Sequence, residues 1–417
     1  MAVTFAAYGV YYYEDQDPEK GRGMVGRIVD SGSSTVPAFP GLRVFPNNGD
    51  PKVEGFIDTS NNLRIATVGY VKGSAQPVEI FNALTGVSAG TPSWSSIDNL
   101  YSLVRLGNYL YAIDFDNARV VEIRADTYAQ TGITYTLPAA LTPSGYIAHG
   151  QALIVIGTTL YGLFSFTDNA WANYANSLLV RFTVNGGSSI TVDVEAGDYN
   201  ANLAKNAFSL AVNGNDLYIA AIGGRQVEGS YNANSRLQKI AYATADLTMA
   251  TVTDVFSPST TYPYEVRDIS FKGGKAFILM GAYNSNWKMT GKLLSTSDFL
   301  SFATVNDFSG GVSGYFWAAQ YTGDNDRLWF AQGNDIKIYD ASNESLVTTI
   351  SISTLAGGGL YDNLNDLAYV GAYGQRATLR GYRSPLQASL TPRARAARAL
   401  TRGRPELSEE EFAQLPE

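Results

Sequence analysis

A single histidine limits the chemistry that this chain can perform. The 417 residues contain His149 as the one histidine and no cysteine, which excludes disulfides, thiolate nucleophiles and histidine-rich metal centres. A catalytic histidine needs a serine or a carboxylate within hydrogen-bond distance, and the surrounding sequence, YIAHGQALIV, reveals none. No G-x-S-x-G, phosphate-binding loop or dinucleotide motif lies between a strand and a helix. We therefore interpret His149 as a packed or channel-lining residue.

Two acidic stretches carry oxygen ligands of the kind that calcium prefers. DQDPEKGRG places Asp15, Asp17 and Glu19 at alternate positions, and TGDNDR contains Asp324 and Asp326. The spacing does not match the twelve-residue EF-hand loop. Asp and Asn also favour turns, because their side chains bond to nearby backbone groups. We interpret both stretches as turns.

Aromatic residues occur beside asparagine in WANYAN, YNAN and AYNSNW, and aromatic residues also cluster in GYFW; several of these stretches lie in predicted loops. Rings provide contact area and amides provide direction, a combination that suits a glycan or a peptide ligand. The competing interpretation is that the rings pack between strands. The candidate ligand-binding residues are Trp171, Tyr174, Tyr231, Tyr283, Trp287, Tyr315 and Trp317.

These candidates lie within a repeated unit. NYLYAIDFDNARVVEIRA, residues 108–125, reads as strand, turn and strand, and NLYSLVRLG supplies a strand before it. A fourth strand follows most units, as in GITYTLP and LVTTISIS. The spacing of the units is about 50 residues, close to the ~40–50 of propeller blades. The turns between their first two strands fall near Asn62, Asn108, Thr158, Asn215, Gly274, Asn325 and Asn365.

This pattern predicts an all-β propeller with seven four-stranded blades. Helical periodicity is almost absent before residue 390, which argues against alternating strands and helices. The last unit, 359–383, has three strands, and we expect VTFAAYGVYYYED near the N-terminus to supply its outer strand and close the ring. Eight blades are the alternative, with VTFAAYGVYYYED and GRGMVGRIVDSG at the heart of a further blade. The predicted propeller spans 1–383, with 1–50 as closing segment and 51–383 as repeat units.

The repeats resemble the YVTN and NHL-like propellers of bacteria, above all in LYAIDFDNARVVEIRA and DRLWFAQGNDIKIYDA. The resemblance covers roughly residues 50–383 and implies blade architecture only, so no functional residue is transferred. Some six-bladed propellers are calcium-dependent lactonases that hold the metal with Glu, Asn and Asp at the channel mouth. A calcium-dependent hydrolase or lactonase is therefore the alternative function. Its candidate metal ligands are Glu54, Asn206, Asp268 and Asp362.

The composition changes after Ser384, where an arginine-rich run is followed by the acidic stretch ELSEEE. One interpretation is a solvated tail or linker outside the propeller domain, from 384 to 417. The other is a segment that docks on a partner or mediates self-association into a homo-oligomer, with Ser408 and Glu411 as the capping box of a short helix. The partner-binding candidates are Arg393, Arg395, Arg398, Arg402, Arg404 and Phe412.

Charge and hydropathy narrow the function class further. The net charge of −8 argues against nucleic-acid binding by the main body, and no apolar run approaches the ~20 residues of a membrane span. The absence of cysteine fits an exported protein, so we expect an extracytoplasmic location: periplasmic, secreted or at the cell surface. The start, MAVTFAAYGVYYYEDQ, lacks a signal-peptide pattern. The sequence predicts a non-enzymatic binding or assembly propeller, without a cofactor, that recognises a protein, peptide or glycan.

Overall fold

The computed structural model describes residues 4–14, 17–45, 51–69, 77–226, 229–286, 288–312, 317–352 and 363–372. These residues form seven β-sheets and three short 3-10 turns, at Ala139–Leu141, Leu247–Met249 and Asp324–Asp326. The first three described strands are β1 (Thr4–Glu14), β2 (Asp17–Asp30) and β3 (Ala38–Phe45). The tail from 384 onwards lies outside the described residues.

Six of the sheets are built from consecutive segments of the chain, and we number them blades 1 to 6. Their strands pair antiparallel in chain order, from the innermost strand outwards. Blade 1 comprises β4 (Pro51–Ile57), β5 (Leu63–Gly69), β6 (Val78–Asn82) and β7 (Ser88–Gly90). Blade 2 comprises β8 (Leu100–Leu106), β9 (Tyr109–Asp114), β10 (Arg119–Arg124) and β11 (Gln130–Thr136). Blade 3 comprises β12 (Ile147–Ile156), β13 (Thr159–Thr167), β14 (Tyr174–Asn185), β15 (Ser189–Thr191) and β16 (Tyr199–Lys205). Blade 4 comprises β17 (Ala207–Asn213), β18 (Asp216–Ala221), β19 (Arg236–Ala241) and β20 (Thr253–Phe256). Blade 5 comprises β21 (Glu265–Lys272), β22 (Lys275–Tyr283), β23 (Met289–Thr296) and β24 (Ala303–Asp307). Blade 6 comprises β25 (Trp317–Thr322), β26 (Arg327–Gln332), β27 (Asp335–Asp340) and β28 (Leu346–Ser351).

Tight turns join the first and second strands of the blades. In blades 2 to 5 each turn begins with a glycine at positive φ, between 54° and 61°, as two-residue hairpins require. These glycines are Gly107, Gly157, Gly214 and Gly273. The first six predicted turn positions therefore lie between the first two strands of blades 1 to 6.

Blade 7 joins the two ends of the described chain. Its innermost strand is β29 (Asn363–Ala372), which pairs with β1 from Thr4↔Ala372 to Tyr11↔Asn363, and β2 and β3 follow outwards. Seven blades closed by the N-terminal segment are thus confirmed. The segments that suggested an eighth blade are the middle strands of the seventh.

Two details of the predicted closure were wrong. β1 is the second strand of blade 7 and not its outermost, and Asn365 lies inside β29 and not in a turn. The physical reason is the burial of β1 on both faces: the four consecutive residues from Phe5 to Tyr8 are each at most 2% exposed. An outermost strand has fewer neighbours and could not bury both faces to this extent.

Both faces of the inner strands are buried between neighbouring blades. Blades 1 and 2 share a core that includes Phe56, Trp94 and Leu103. Close to the channel the strands approach so closely that a Cβ added to Gly55 in β4 would lie 2.7 Å from the Cα of Val370 in β29. Glycine therefore allows blade 1 to contact blade 7 at the point of closure.

All innermost strands run in the same sense along the channel, and this defines two faces. We call the face where they begin the opening face; it also carries the connections between second and third strands. The face where they end, the turn face, carries the glycine turns and the connections between third and outer strands. Blade 3 departs from the pattern, because its third strand pairs with β15 near the turn face and with β16 elsewhere.

Candidate functional site

The central channel contains a cavity of about 300 Å³ that every innermost strand helps to line. Its turn-face end is mainly apolar, with Ile57, Val155 and Phe271, and Arg105 supplies a charged group there. The Arg105 guanidinium donates to the backbone oxygens of Gly107 (2.7 Å) and Ile57 (2.9 Å). Arg105 thus ties the turn of blade 2 to blade 1.

Polar side chains on the innermost strands join neighbouring blades across the channel wall. The Oδ2 atom of Asp268 in blade 5 accepts from the backbone N–H of Ala319 in blade 6, at 3.0 Å. In the same way Asp366 of blade 7 accepts from Val53 of blade 1, at 2.8 Å. Ser102 of blade 2 accepts from blade 3. The open edge of an innermost strand leaves backbone donors unpaired, and these side chains satisfy them. We call such bonds inter-blade clasps.

The candidate metal ligands have structural partners in this wall. The other oxygen of Asp268 accepts from the Ser209 hydroxyl (2.6 Å) and from the backbone of Ile269 (2.9 Å). Asn206 lies just before β17 at φ 54°, a conformation that asparagine tolerates, and its amide donates to the carbonyl of Gly224. Glu54 is buried in β4.

Asp362, the fourth candidate, lies outside the described residues. Among the residues that are described, no three histidine, aspartate or glutamate side chains are placed to hold a metal ion. The calcium site therefore stays a prediction, and the structure shows that Asp268 already has a role in joining blades.

Four rings form a cluster on the opening face, where blades 2 and 3 meet. Centroid distances are 4.3 Å from Tyr101 to Phe115, 4.5 Å from Phe115 to His149 and 4.6 Å from His149 to Trp171, with interplanar angles below 30°. We call this group the ring cluster. Such offset parallel contacts contribute about 0.5–1.5 kcal/mol each beyond burial.

The interior of the ring cluster keeps His149 neutral. Its Nε2 atom lies 2.8 Å from the Thr167 hydroxyl, and only 4% of the residue is exposed. Burial lowers the pKa of His149 from 6.5 to about 4, and the backbone of Phe115 acts weakly in the opposite direction. The interpretation of His149 as a packed residue agrees with this geometry.

The outer member of the cluster, Trp171, has a strained backbone. Its φ of 55° is in the left-handed region, which bulky residues rarely adopt. The WANYAN turn around it is held by Asp168, whose carboxylate accepts from the backbone of Ala172 (2.8 Å) and the amide of Asn173 (2.7 Å). The hydrogen bond from Asn173 is also the main reason that the pKa of Asp168 is lowered. Trp171 is half-buried in this rigid turn, next to exposed neighbours.

A buried ion pair holds the long second connection of blade 4. Glu265 and Arg267 of blade 5 are 1% and 0% exposed at their side chains and pair with each other. Glu265 also accepts from the backbone N–H of Asn232, at 2.9 Å. Burial raises the pKa of Glu265, and Arg267 opposes that shift. Buried pairs of this kind add little net stability but fix one conformation when every group is paired.

The structure separates the predicted aromatic candidates into two groups. Tyr174 and Tyr283 are buried at strand ends, at 7% and 2% exposure, whereas Trp171 and Tyr231 are half-buried in opening-face connections. Trp317 begins β25, but its side chain is not among those described. Trp287, Tyr315 and the tail candidates Arg393, Arg395, Arg398, Arg402, Arg404 and Phe412 lie outside the described residues.

The comparisons with known proteins agree with this architecture. No protein-family model matches the sequence, and no curated protein sequence matches it. A putative 6-phosphogluconolactonase from Bacteroides fragilis has a similar structure, with a TM-score of 0.55 and 12% identity over 88% of this chain and 98% of that one. A second, from Bacteroides uniformis, has a TM-score of 0.55 and 11% identity over 89% and 100%. The periplasmic gluconolactonase of Pseudomonas aeruginosa has a TM-score of 0.51 and 12% identity over 89% and 100%.

The chain is a seven-bladed β-propeller. At 11–12% identity these similarities establish the fold and do not transfer an activity. Within the described residues no helix is long and apolar enough to cross a membrane.

Sequence reasoning missed the inter-blade clasps, although the repeat contains a signal for them. Ser102 and Asp268, which form clasps, and Ser209, whose hydroxyl donates to Asp268, each lie five residues before the positive-φ glycine of their blade. A small polar residue at one fixed position of an otherwise apolar strand indicates a repeated hydrogen bond. Ala152 occupies this position in blade 3, so the signal is incomplete. The ion pair of Glu265 has no such repeat.

Proposed function

We propose that this propeller is a non-enzymatic, extracytoplasmic binding protein that recognises a glycan on its opening face. The observation that carries the proposal is Trp171, a half-exposed ring held in a left-handed conformation against His149. Backbone strain of about 1–3 kcal/mol persists only where its surroundings enforce it, and such sites are enriched in ligand contacts.

The surroundings of Trp171 suit a saccharide. An indole ring offers a flat apolar face, and the exposed amides of Asn173 and Asn234 flank the connections of blades 3 and 4. Glu265, paired with Arg267, holds the described part of the blade 4 connection through the backbone N–H of Asn232. Preorganisation of this kind reduces the entropy lost on binding.

The test is titration of the full chain with a panel of soluble oligosaccharides, followed by calorimetry and saturation-transfer NMR. We expect Trp171→Ala to weaken binding at least about tenfold, which is about 1.4 kcal/mol. The matched control is Phe39→Ala, since Phe39 is also a surface ring, 44% exposed, but lies on β3. Equal affinity of Trp171→Ala and the unmodified chain would refute the glycan site. Peptide binding that is lost in Trp171→Ala would assign the same surface to a peptide.

Lactone hydrolysis is the second function to test, because two of the similar structures bear the name 6-phosphogluconolactonase and the third is a gluconolactonase. A calcium-dependent site would use Glu54, Asn206, Asp268 and Asp362. Lactone turnover that requires calcium and is lost in Glu54→Gln at unchanged stability would support it. Absence of turnover with calcium present would leave the binding role.

A further inference from the structure

Three neighbouring blades present large apolar side chains on the turn face. Leu300 (85% exposed) and Met249 (77%) are the two most exposed large apolar residues in the described part of the chain, and Leu346 is 52% exposed. Met249, Leu300 and Leu346 lie in or at the end of the connections between third and outer strands of blades 4, 5 and 6. Such residues on neighbouring blades together provide apolar surface that a partner segment could cover.

An aspartate accompanies each of these apolar residues. Asp246, Asp298 and Asp340 each cap the local turn through one carboxylate oxygen, which accepts backbone N–H groups at 2.8–3.3 Å. Among the described residues none of the three forms an ion pair, whereas the lysines nearby are paired: Lys272 with Asp326 and Lys275 with Glu344. The connections of blades 4 to 6 therefore combine apolar side chains with three carboxylates that form no direct ion pair, although Arg181, which pairs with Asp198, lies close enough to act on Asp246. We call them the acidic rim.

A groove lies within the acidic rim, between blades 5 and 6. It has a volume of about 640 Å³ and a mainly polar lining, with Phe302 as an apolar member. Its charged lining residues are Asp298, Lys275 and Glu344, of which the last two pair with each other. The groove is open to solvent along its length and is accessible to an extended peptide with basic and apolar side chains.

The chain itself contains a segment with this chemistry. Residues 373–404 carry eight arginines and no acidic residue, whereas residues 1–372 hold 33 of the 38 acidic residues. The run also includes Leu400. The planar guanidinium group of an arginine can pair with a carboxylate through two parallel hydrogen bonds. Charge and apolar content both complement the acidic rim.

The point of attachment places this segment on the correct face. The last described residue, Ala372, ends innermost strand β29 on the turn face. An unstructured segment as long as residues 373–393, 21 residues, would have an end-to-end distance of about 25 Å. The outermost strand of a blade lies only about 15 Å from the innermost. Blade 6 is next to blade 7, so Arg393 and the arginines that follow it can reach the part of the acidic rim that blade 6 carries.

We infer that the arginine-rich segment, residues 393–404, docks on the acidic rim of its own chain. Attachment to the same molecule gives a high effective concentration, so several weak ion pairs are sufficient to hold it. The inference does not depend on the proposed glycan site, which lies on the opposite face.

Trypsin tests the docking directly, since it cleaves after arginine. We expect cleavage between Arg393 and Arg404 of the full chain to be at least about fivefold slower at low salt than in 0.5 M NaCl, because salt screens exposed ion pairs. The triple variant Asp246→Asn, Asp298→Asn, Asp340→Asn keeps the turn-capping oxygens and removes the charge. It should be cleaved at low salt as fast as the unmodified chain is at high salt.

The charge-matched control carries three substitutions on the opening face, Asp98→Asn, Asp168→Asn and Asp335→Asn, and should be protected like the unmodified chain. Equal cleavage rates for all three proteins would overturn the inference. Protection that disappears on hundredfold dilution would also overturn it, because the segment would then be bound by a second copy.

The apolar contribution has its own pair of variants. Met249→Ser with Leu300→Ser should accelerate cleavage, whereas Leu84→Ser with Val87→Ser, which are 54% and 64% exposed but lie on blade 1, should not. Acceleration by both pairs would show general destabilisation and would count against a specific apolar contact.

Discussion

The buried histidine gives the propeller a defined response to acid. His149 has a pKa of about 4 in the folded protein, below its ordinary value of 6.5, because burial penalises the imidazolium. The unfolded chain therefore takes up a proton more readily than the folded one. The contribution to stability is complete above pH 6.5 and is lost progressively as the pH falls from 6.5 to 4.

The magnitude follows from the two pKa values. Protonation of His149 in the unfolded chain lowers the unfolding free energy by about 2 kcal/mol at pH 5. At pH 7 the same effect is only about 0.2 kcal/mol. The variant His149→Gln stays neutral at every pH and can still hydrogen-bond Thr167. Between pH 7 and pH 5 the unfolding free energy of this variant should fall by about 2 kcal/mol less than that of the unmodified chain.

Urea unfolding at the two pH values measures this difference, and carboxylate titration cancels between the two proteins. Because His149 is the one histidine of the chain, its ring proton signal in NMR reports the folded pKa without assignment. A midpoint near 6.5, or equal loss of stability in both proteins, would refute the burial argument.

Two further predictions concern the contacts between blades. Asp268→Ala removes the acceptor for three buried donors and should lower the unfolding free energy by about 3 kcal/mol or more. Urea titration measures this loss. A loss below about 1 kcal/mol would contradict the role of Asp268 as an inter-blade clasp. Gly55→Ala forces a Cβ against the backbone of Val370 and should destabilise by about 1–3 kcal/mol. The control Gly274→Ala, where a Cβ meets nothing within 4 Å, should be neutral in thermal unfolding.

Most of the fold could be predicted from the repeat, because the residues that specify each turn and strand are close together in the sequence. Glycine turns such as Gly214 and apolar strands on both sides recur at a spacing that seven blades explain. The order of strands in blade 7 could not be predicted in this way, because it depends on pairing between the two ends of the described chain. The pattern around Asn365 resembles the turns of the other units, and only the burial of β1 on both faces places that strand between β29 and β2.

The candidate site was harder to predict from the sequence. An aromatic residue can contact a ligand only if its side chain is exposed, and the sequence does not show which side chains are exposed. Tyr174 and Trp171 are three residues apart in one motif, yet one is buried and the other is half-buried in a strained turn. Composition does not distinguish these outcomes. The position of His149 beside Phe115 and Trp171 depends on contacts between two blades, which no single segment of sequence encodes.

The construction of blade 7 from both ends of the described chain has a consequence for biosynthesis. Strand β1 is synthesised about 350 residues before its partner β29. At the usual 5–20 residues per second, the ribosome needs about 20 to 70 s to deliver that partner. During this interval the edge of β1, with its run of apolar residues, has no strand to pair with. We expect this edge to favour aggregation of the nascent chain unless a chaperone or another segment covers it until β29 is synthesised.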